Sequence, residues 1–208
     1  MSFLAMRTVY GTLLNFRGEL DALGPKMHEA PYGAPPRAPV LYIKPANTWS
    51  ANGSPVTLPA GVGEVEVGGT VGVVMKAPGE VAGYVLMCDL SLPHTSFFRP
   101  PAKYKCLDGF LGVGSTLLEA STDVDPSTFK LEVRIDGELK QAVDFAQLVR
   151  PAAQLLADVA EFMTLGPGDV LMLGIDAGRP LARAGNRIEI SAPGLGFLTN
   201  TLIAGEAA

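Results

Sequence analysis

Cysteine is scarce in this chain. Cys88 and Cys106 are the only two, too few for a disulfide framework and without the spacing of a zinc site. Charge is scarce as well: Asp, Glu, Lys and Arg make up 18% of residues against 48% hydrophobic, which excludes an intrinsically disordered chain. A basic excess is also missing. The net charge is −5, and outside a small group at Arg99, Lys103 and Lys105 the basic residues are scattered, so no nucleic-acid surface is expected. No apolar run approaches the roughly 20 residues of a membrane-spanning helix. The first residues, MSFLAMRTVYGTLL, lack a basic stretch followed by a long apolar one, so no leader is expected either. These absences fit a cytoplasmic protein with two buried thiols.

Glycine and proline are plentiful, at 24 and 17 of 208 residues, which favours many short strands and turns over helices. Strands are expected at 7–14, at VLYIK (40–44), near 64–75 and 82–90, at GFLGVG, at DVLMLG and at NRIEIS. PYGAPPRAP reads as a stiff loop, NTWSANGSPVTLP as loop and turn, and the proline-interrupted stretch 91–107 as irregular. FKLEVRIDGELKQAV is a hairpin signal, with Asp136-Gly137 as a type I′ turn between alternating segments. A short helix is expected over 16–23, stopped by Gly24-Pro25. The clearest helix is 151–163, where Ala152, Leu155, Leu156, Val159, Ala160 and Met163 recur at helical spacing behind Pro151. No internal repeat or linker divides the chain. The expectation is one mostly β (α+β) domain over 1–208.

One stretch looks like chemistry. In GEVEVGGTVGVVM, Glu64 and Glu66 fall on one face of a strand, and paired carboxylates suit a hard cation. The competing reading is a solvated strand start. His28 lies in the proline-rich loop and His94 in the loop after Asp89, neither with a partner visible in the sequence. Trp49, Phe97 and Phe98 read as core or interface residues.

Several segments, taken together and in order, resemble the fumarylacetoacetate hydrolase family: YIKPANT, GYVLMCDLS, KYKCLDGFLGVG, EFMTLGPGDVLMLG and GNRIEISAPGLGFLTN. Within that family the likeness is nearest to members that isomerise and decarboxylate in 4-hydroxyphenylacetate catabolism, and specifically to their N-terminal half or a separate subunit equivalent to it. The resemblance implies a mixed β-roll with one main helix, residues 1–60 forming an N-terminal, lid-bearing part and 61–208 the roll. It implies Mg²⁺ or Mn²⁺ chelated by the 2-oxo and carboxylate oxygens of a 2-oxo or 2-hydroxy-dienoate di- or tricarboxylate. The cation then stabilises an enolate as a Lewis acid. It also implies a dimer, with itself or with a homologous subunit.

Carried over residue by residue, the resemblance makes Asp89 a metal ligand and Lys105 a substrate-side and catalytic cation. Arg99 is expected to be catalytic, and Lys44 and Asp108 to bind substrate. Other positions depart from the family. Glu19 and Ala22 stand where a His–Glu pair is expected. Ile175 and Asp176 stand where Thr-Pro is expected. If VGVVM is the strand core, the Glu-x-Glu ligand positions fall on Gly68 and Thr70, with Glu64 and Glu66 four residues early. Two functions stay open: a metal-dependent decarboxylase or isomerase, and a non-catalytic partner of a homologous active subunit.

Overall fold

A computed structural model describes residues 6–94 and 101–205. The chain runs through β1 (Val9–Leu13), α1 (Arg17–Leu23), β2 (Val40–Lys44), β3 (Trp49–Ala51), β4 (Pro55–Leu58), β5 (Val65–Ala77) and β6 (Glu80–Ser91). It continues through α2 (Ala102–Lys105), β7 (Leu111–Glu119), β8 (Lys130–Ile135), β9 (Glu138–Asp144), α3 (Ala152–Ala160), β10 (Val170–Met172), β11 (Leu181–Ala182), β12 (Arg187–Ala192) and β13 (Gly196–Ala204). Two mixed sheets result. The larger has the order β2-β1-β10-β5-β6-β7-β3, with β11 also on β5, and the smaller β4-β13-β12-β8-β9. Strands from the first 60 residues enter both sheets.

The long hairpin β5–β6 organises the molecule. Alternation sends Val65, Val67, Val71, Val73 and Met75 of β5, and Tyr84, Leu86, Cys88 and Leu90 of β6, into the core between the sheets. Leu131, Val133, Ile188, Ile190, Leu198 and Leu202 meet them from the smaller sheet. Gly69 is small because Leu131 and Val133 press onto it, a Cβ there falling 2.7 and 2.8 Å from them. Ala152, Leu155 and Val159 of α3 join the same core, as their helical spacing predicts. The opposite face of the larger sheet carries a second cluster, including Val74, Val85, Met87, Val170 and Tyr42, against which Leu20 and Leu23 of α1 pack.

Most expected elements appear. The turn Asp136-Gly137 has φ of 53° and 81°, as a type I′ turn requires. Arg187 N and Asn186 Nδ2 donate to the Asp136 carboxylate at 2.8 and 2.7 Å. Three expectations are corrected. NTWSANGSPVTLP contains β3 and β4 rather than loop alone. The irregular stretch includes the single turn α2. The last strand is β13, not β12, and it bridges β12 and β4. Cys88 is buried and burial pushes its thiol up to about 12, while Cys106 is only partly buried. Among the described residues no helix is long and apolar enough to cross a membrane.

Candidate functional site

Asp89 is the centre of a buried polar cluster on the outer face of the larger sheet. On β6 it shares a face with Val85 and Met87, away from the inter-sheet core. Three cationic or hydroxyl groups converge on it. Lys44 Nζ, at the end of β2, lies 2.5 Å from Oδ1. Lys105 Nζ, from α2, lies 2.8 Å from Oδ2. The Tyr42 hydroxyl also donates to Oδ2. Asp89, Lys44 and Lys105 have no exposed side-chain surface at all.

The local sequence explains the convergence. Tyr42 and Lys44 are two apart on β2 and share a face. Gly11 is the cross-strand partner of Tyr42, and a Cβ at Gly11 would fall 2.0 Å from Tyr42 Cζ. The missing side chain is what lets the phenol lie across β1 toward Asp89. Lys105 Nζ also stands 5.1 Å from the Tyr42 ring centroid, a cation–π distance. Lys44 Nζ further donates to the carbonyls of Leu90 at 3.2 Å, Phe110 at 2.8 Å and Lys105.

The electrostatics follow from these contacts. Burial works to raise the Asp89 pKa, yet the Lys105 and Lys44 charges and their hydrogen bonds outweigh it and hold the carboxyl down at about 2. Burial lowers Lys44 against the pull of Asp89. Burial and then the Asp89 charge raise Tyr42 well above its ordinary value, so it remains a hydrogen-bond donor.

Across the ladder from Asp89 the register is informative. Gly68 of β5 pairs directly with Asp89, Thr70 with Met87 and Glu66 with Ser91. The two positions where the family's paired carboxylates are expected therefore do border Asp89, but they carry no carboxylate. The Thr70 hydroxyl donates to the Gly174 carbonyl at 2.5 Å. A Cβ at Gly68 would lie 2.8 Å from Ile175 Cδ1 and 2.8 Å from the Asp89 carbonyl oxygen. The Ile175 side chain thus takes the space a longer residue at 68 would need. Glu64 is exposed and precedes β5. Glu66 is held by Arg179 Nε at 3.2 Å.

These placements answer the question of a cation. Asp89 has one oxygen hydrogen-bonded by Lys105 and Tyr42 and the other against the Lys44 ammonium, positions 68 and 70 offer no second carboxylate, and Ile175 fills the gap. Among the described residues no three His, Cys, Asp or Glu side chains group to hold a metal ion. The residues present do not fit Mg²⁺ or Mn²⁺, which take several oxygen ligands.

The remaining expected residues are dispersed. Asp108 is exposed and accepts from Asn47 Nδ2 at 2.6 Å, beside a shallow depression lined by Thr57, Leu58, Pro59 and Leu107. It does not join Asp89. Arg99 lies outside the described residues, as do Phe97 and Phe98. His94 stacks on Tyr104 with centroids 4.7 Å apart, and its Nδ1 lies 2.9 Å from the Leu92 carbonyl.

Two site residues were given no role from the sequence: Tyr42, although it opens the family-like segment YIKPANT, and Arg179. Arg179 reaches Glu19 at 3.4 Å as well as Glu66. Glu19, buried on α1, also accepts from Leu14 N at 2.8 Å. Burial is the dominant influence on Glu19 and pushes its carboxyl up to about 7, against the lowering effects of Arg179, Leu14 N and Lys105.

Comparison with known proteins sets this geometry in context. Residues 8–203 match the model for the fumarylacetoacetate (FAA) hydrolase C-terminal family. A 4-hydroxyphenylacetate degradation bifunctional isomerase/decarboxylase of Salmonella dublin is 40% identical over 207 residues, spanning 95% of this chain but 47% of its own length. The chain therefore spans about half the length of that relative. A 5-carboxymethyl-2-hydroxymuconate delta-isomerase structure from Mycobacterium smegmatis superposes with a TM-score of 0.80 at 24% identity, covering 98% of this chain and 81% of its own. A fumarylpyruvate hydrolase structure from Pseudomonas aeruginosa, in complex with Mn²⁺ and pyruvate, gives a TM-score of 0.80 at 23% identity, covering 96% and 91%. At these identities the two structures establish the fold alone.

Proposed function

Because the chain belongs to the fumarylacetoacetate hydrolase family, we propose that it is the structural member of an isomerase/decarboxylase assembly of 4-hydroxyphenylacetate (homoprotocatechuate) catabolism. In this reading a homologous unit carries the metal-assisted enolate chemistry on a 2-oxo or 2-hydroxy-dienoate di- or tricarboxylate. This chain contributes its fold and an interface, in the cytoplasm, as one domain over 1–208. The half-length match to the Salmonella dublin relative supports a partner of similar size.

The observation that carries the reading is the face around Asp89. Gly68 and Thr70 stand opposite or beside it without a carboxylate. Ile175 packs over Gly68, and Lys44 and Lys105 neutralise the carboxylate that remains. One feature favours the other reading, an autonomous enzyme: Lys105 and Asp89 are still paired in the positions the family resemblance assigns to catalysis.

Calorimetric titration of the isolated chain with Mg²⁺ and with Mn²⁺ separates the two. No binding heat is expected, and activity on a 2-oxo-dienoate should appear only after mixing with a homologous subunit that has its carboxylates. Micromolar binding by the chain alone, with turnover, overturns the structural reading.

A further inference from the structure

The ammonium of Lys44 meets more oxygens than it has N–H groups. Its Nζ donates to the carbonyls of Leu90 at 3.2 Å, Phe110 at 2.8 Å and Lys105, and Asp89 Oδ1 stands 2.5 Å away. An ammonium has three donors, so four oxygens around it form a cage for a charge rather than a set of directional bonds. Three backbone carbonyls and one carboxylate are the ligand chemistry of a hard cation. The oxygens come from three segments: β6 supplies Asp89 and Leu90, α2 supplies Lys105, and Phe110 immediately precedes β7. Neither charged side chain of the cage has any exposed surface.

The same contacts close a ring. Lys105 is the last residue of the single turn α2, where a helix leaves its carbonyls without intrahelical partners, and Lys44 supplies a donor there. The side chain of Lys105 reaches the other oxygen of Asp89 at 2.8 Å. Contacts thus run from Asp89 Oδ1 to Lys44, from Lys44 to the Lys105 backbone, and from the Lys105 ammonium back to Asp89 Oδ2. Leu92 N donates to the Tyr104 carbonyl at 2.8 Å, which seats α2 on the end of β6.

We propose that Asp89, Leu90, Lys105 and Phe110 form a monovalent-cation site whose tethered occupant is the Lys44 ammonium, and that this occupant positions the Lys105 ammonium on Asp89. Lys44 is a positioning residue: it acts through the Lys105 backbone. Charge selects the class of ion. Asp89 already faces two ammonium groups, so a monovalent ion in place of Lys44 leaves the buried charge as it is. A divalent ion would add a buried charge with no counter-ion. Contacts of 2.8 and 3.2 Å suit K⁺ or NH₄⁺ and are too wide for Li⁺. The inference holds whether or not the chain is catalytic, and a test run in chelator keeps it separate from the titrations with Mg²⁺ and Mn²⁺.

The test compares thermal unfolding midpoints of wild type, Lys44→Ala and Lys44→Met in chelator at constant ionic strength, as tetramethylammonium chloride is replaced stepwise by KCl or NH₄Cl. Lys44→Ala empties the cage and the space of the lysine stem. Its midpoint should rise by about 5–10 °C at ~100 times the dissociation constant of the ion, and tetramethylammonium should give no rise. Wild type and Lys44→Met, where a side chain of similar length still fills the space, should not respond. A Lys44→Ala midpoint indifferent to K⁺ and NH₄⁺ overturns the proposal. So does a Lys44→Met midpoint within about 2 °C of wild type, because the charge would then be dispensable. Trans-hydrogen-bond couplings measured by NMR in the wild type need no variant. Lys44 Nζ should couple to the carbonyl carbons of Leu90, Lys105 and Phe110, and absence of these couplings overturns the cage. The coupling of Lys105 Nζ to the Asp89 carboxyl carbon should vanish in ion-free Lys44→Ala and return with NH₄⁺. Its persistence without the ion overturns the positioning role.

Discussion

Asp89 and Glu19 are both buried carboxylates near the same face of the larger sheet, yet one is held at about 2 and the other is raised to about 7. The difference lies in what meets each of them. Asp89 has two ammonium groups at 2.5 and 2.8 Å plus a phenolic donor. Glu19 has one guanidinium at 3.4 Å that it shares with Glu66, and a single amide. Desolvation is the largest raising influence on both. Close, undivided cations overcome it at Asp89 and a shared, more distant one does not at Glu19. Asp89 is a fixed charge that organises its neighbours, and Glu19 a group that can change state near neutral pH.

The sharpest way to break this contrast is to remove the fixed charge. Asp89→Asn leaves Lys44 and Lys105 buried without a counter-ion and should cost about 3–5 kcal/mol, read from urea unfolding midpoints. A loss below about 1 kcal/mol would mean that the lysines find other partners. The pH dependence of stability gives the next largest effect, and the two carboxylates act with opposite sign. Glu19 has a raised folded pKa, so its contribution is full below 4.5 and is lost as pH rises through about 7, amounting to about 3 kcal/mol. Asp89 has a lowered folded pKa, so its contribution is present above 3.8 and lost as pH falls through about 2. Denaturation series from pH 4 to 8 on wild type and Glu19→Gln should therefore diverge, with the variant losing the downward slope.

Smaller effects test the filled space. Gly68→Ala places a methyl 2.8 Å from Ile175 Cδ1 and from the Asp89 carbonyl and should cost about 1–3 kcal/mol. Ile175→Ala in the same chain should return part of it, a coupling above about 0.5 kcal/mol in a double-mutant cycle. Strict additivity would show that Ile175 does not occupy the place of a side chain at 68. Glu64→Ala, at an exposed position before β5, should change stability by no more than about 0.5 kcal/mol and leave cation titrations as they were.

How much of this could be read from the residues depends on the range over which each contact acts. The β5–β6 hairpin, the Asp136-Gly137 turn and α3 are local patterns, and each is visible as alternation, turn chemistry or helical spacing. The strand core VGVVM also fixes the register well enough to bring Gly68 and Thr70, rather than Glu64 and Glu66, to the edge of Asp89. By contrast β3 and β4 have three and four residues among Asn, Gly and Pro, and are strands only because β7 and β13 pair with them. Arg179 and Glu19 are 160 positions apart, and nothing local marks either as the other's partner. Asp108 lies in a motif that matches the family, but the turn at Gly109, with φ of 75°, goes with a carboxylate directed to Asn47 and solvent.

The parallel pairing of β1 with β10, Val9 against Val170, sets a constraint on the making of this protein. An edge of β1 has no strand to pair with until residues near 172 have left the ribosome. β10 in turn separates β1 from β5 in the sheet. The hairpins β5–β6 and β8–β9 can form during synthesis from neighbouring residues alone. The sheet cannot be completed before about four-fifths of the chain exists, and contacts of such long sequence separation fold slowly. A chain stalled or truncated before β10 would expose one open edge each on β1 and β5, which is a route to aggregation.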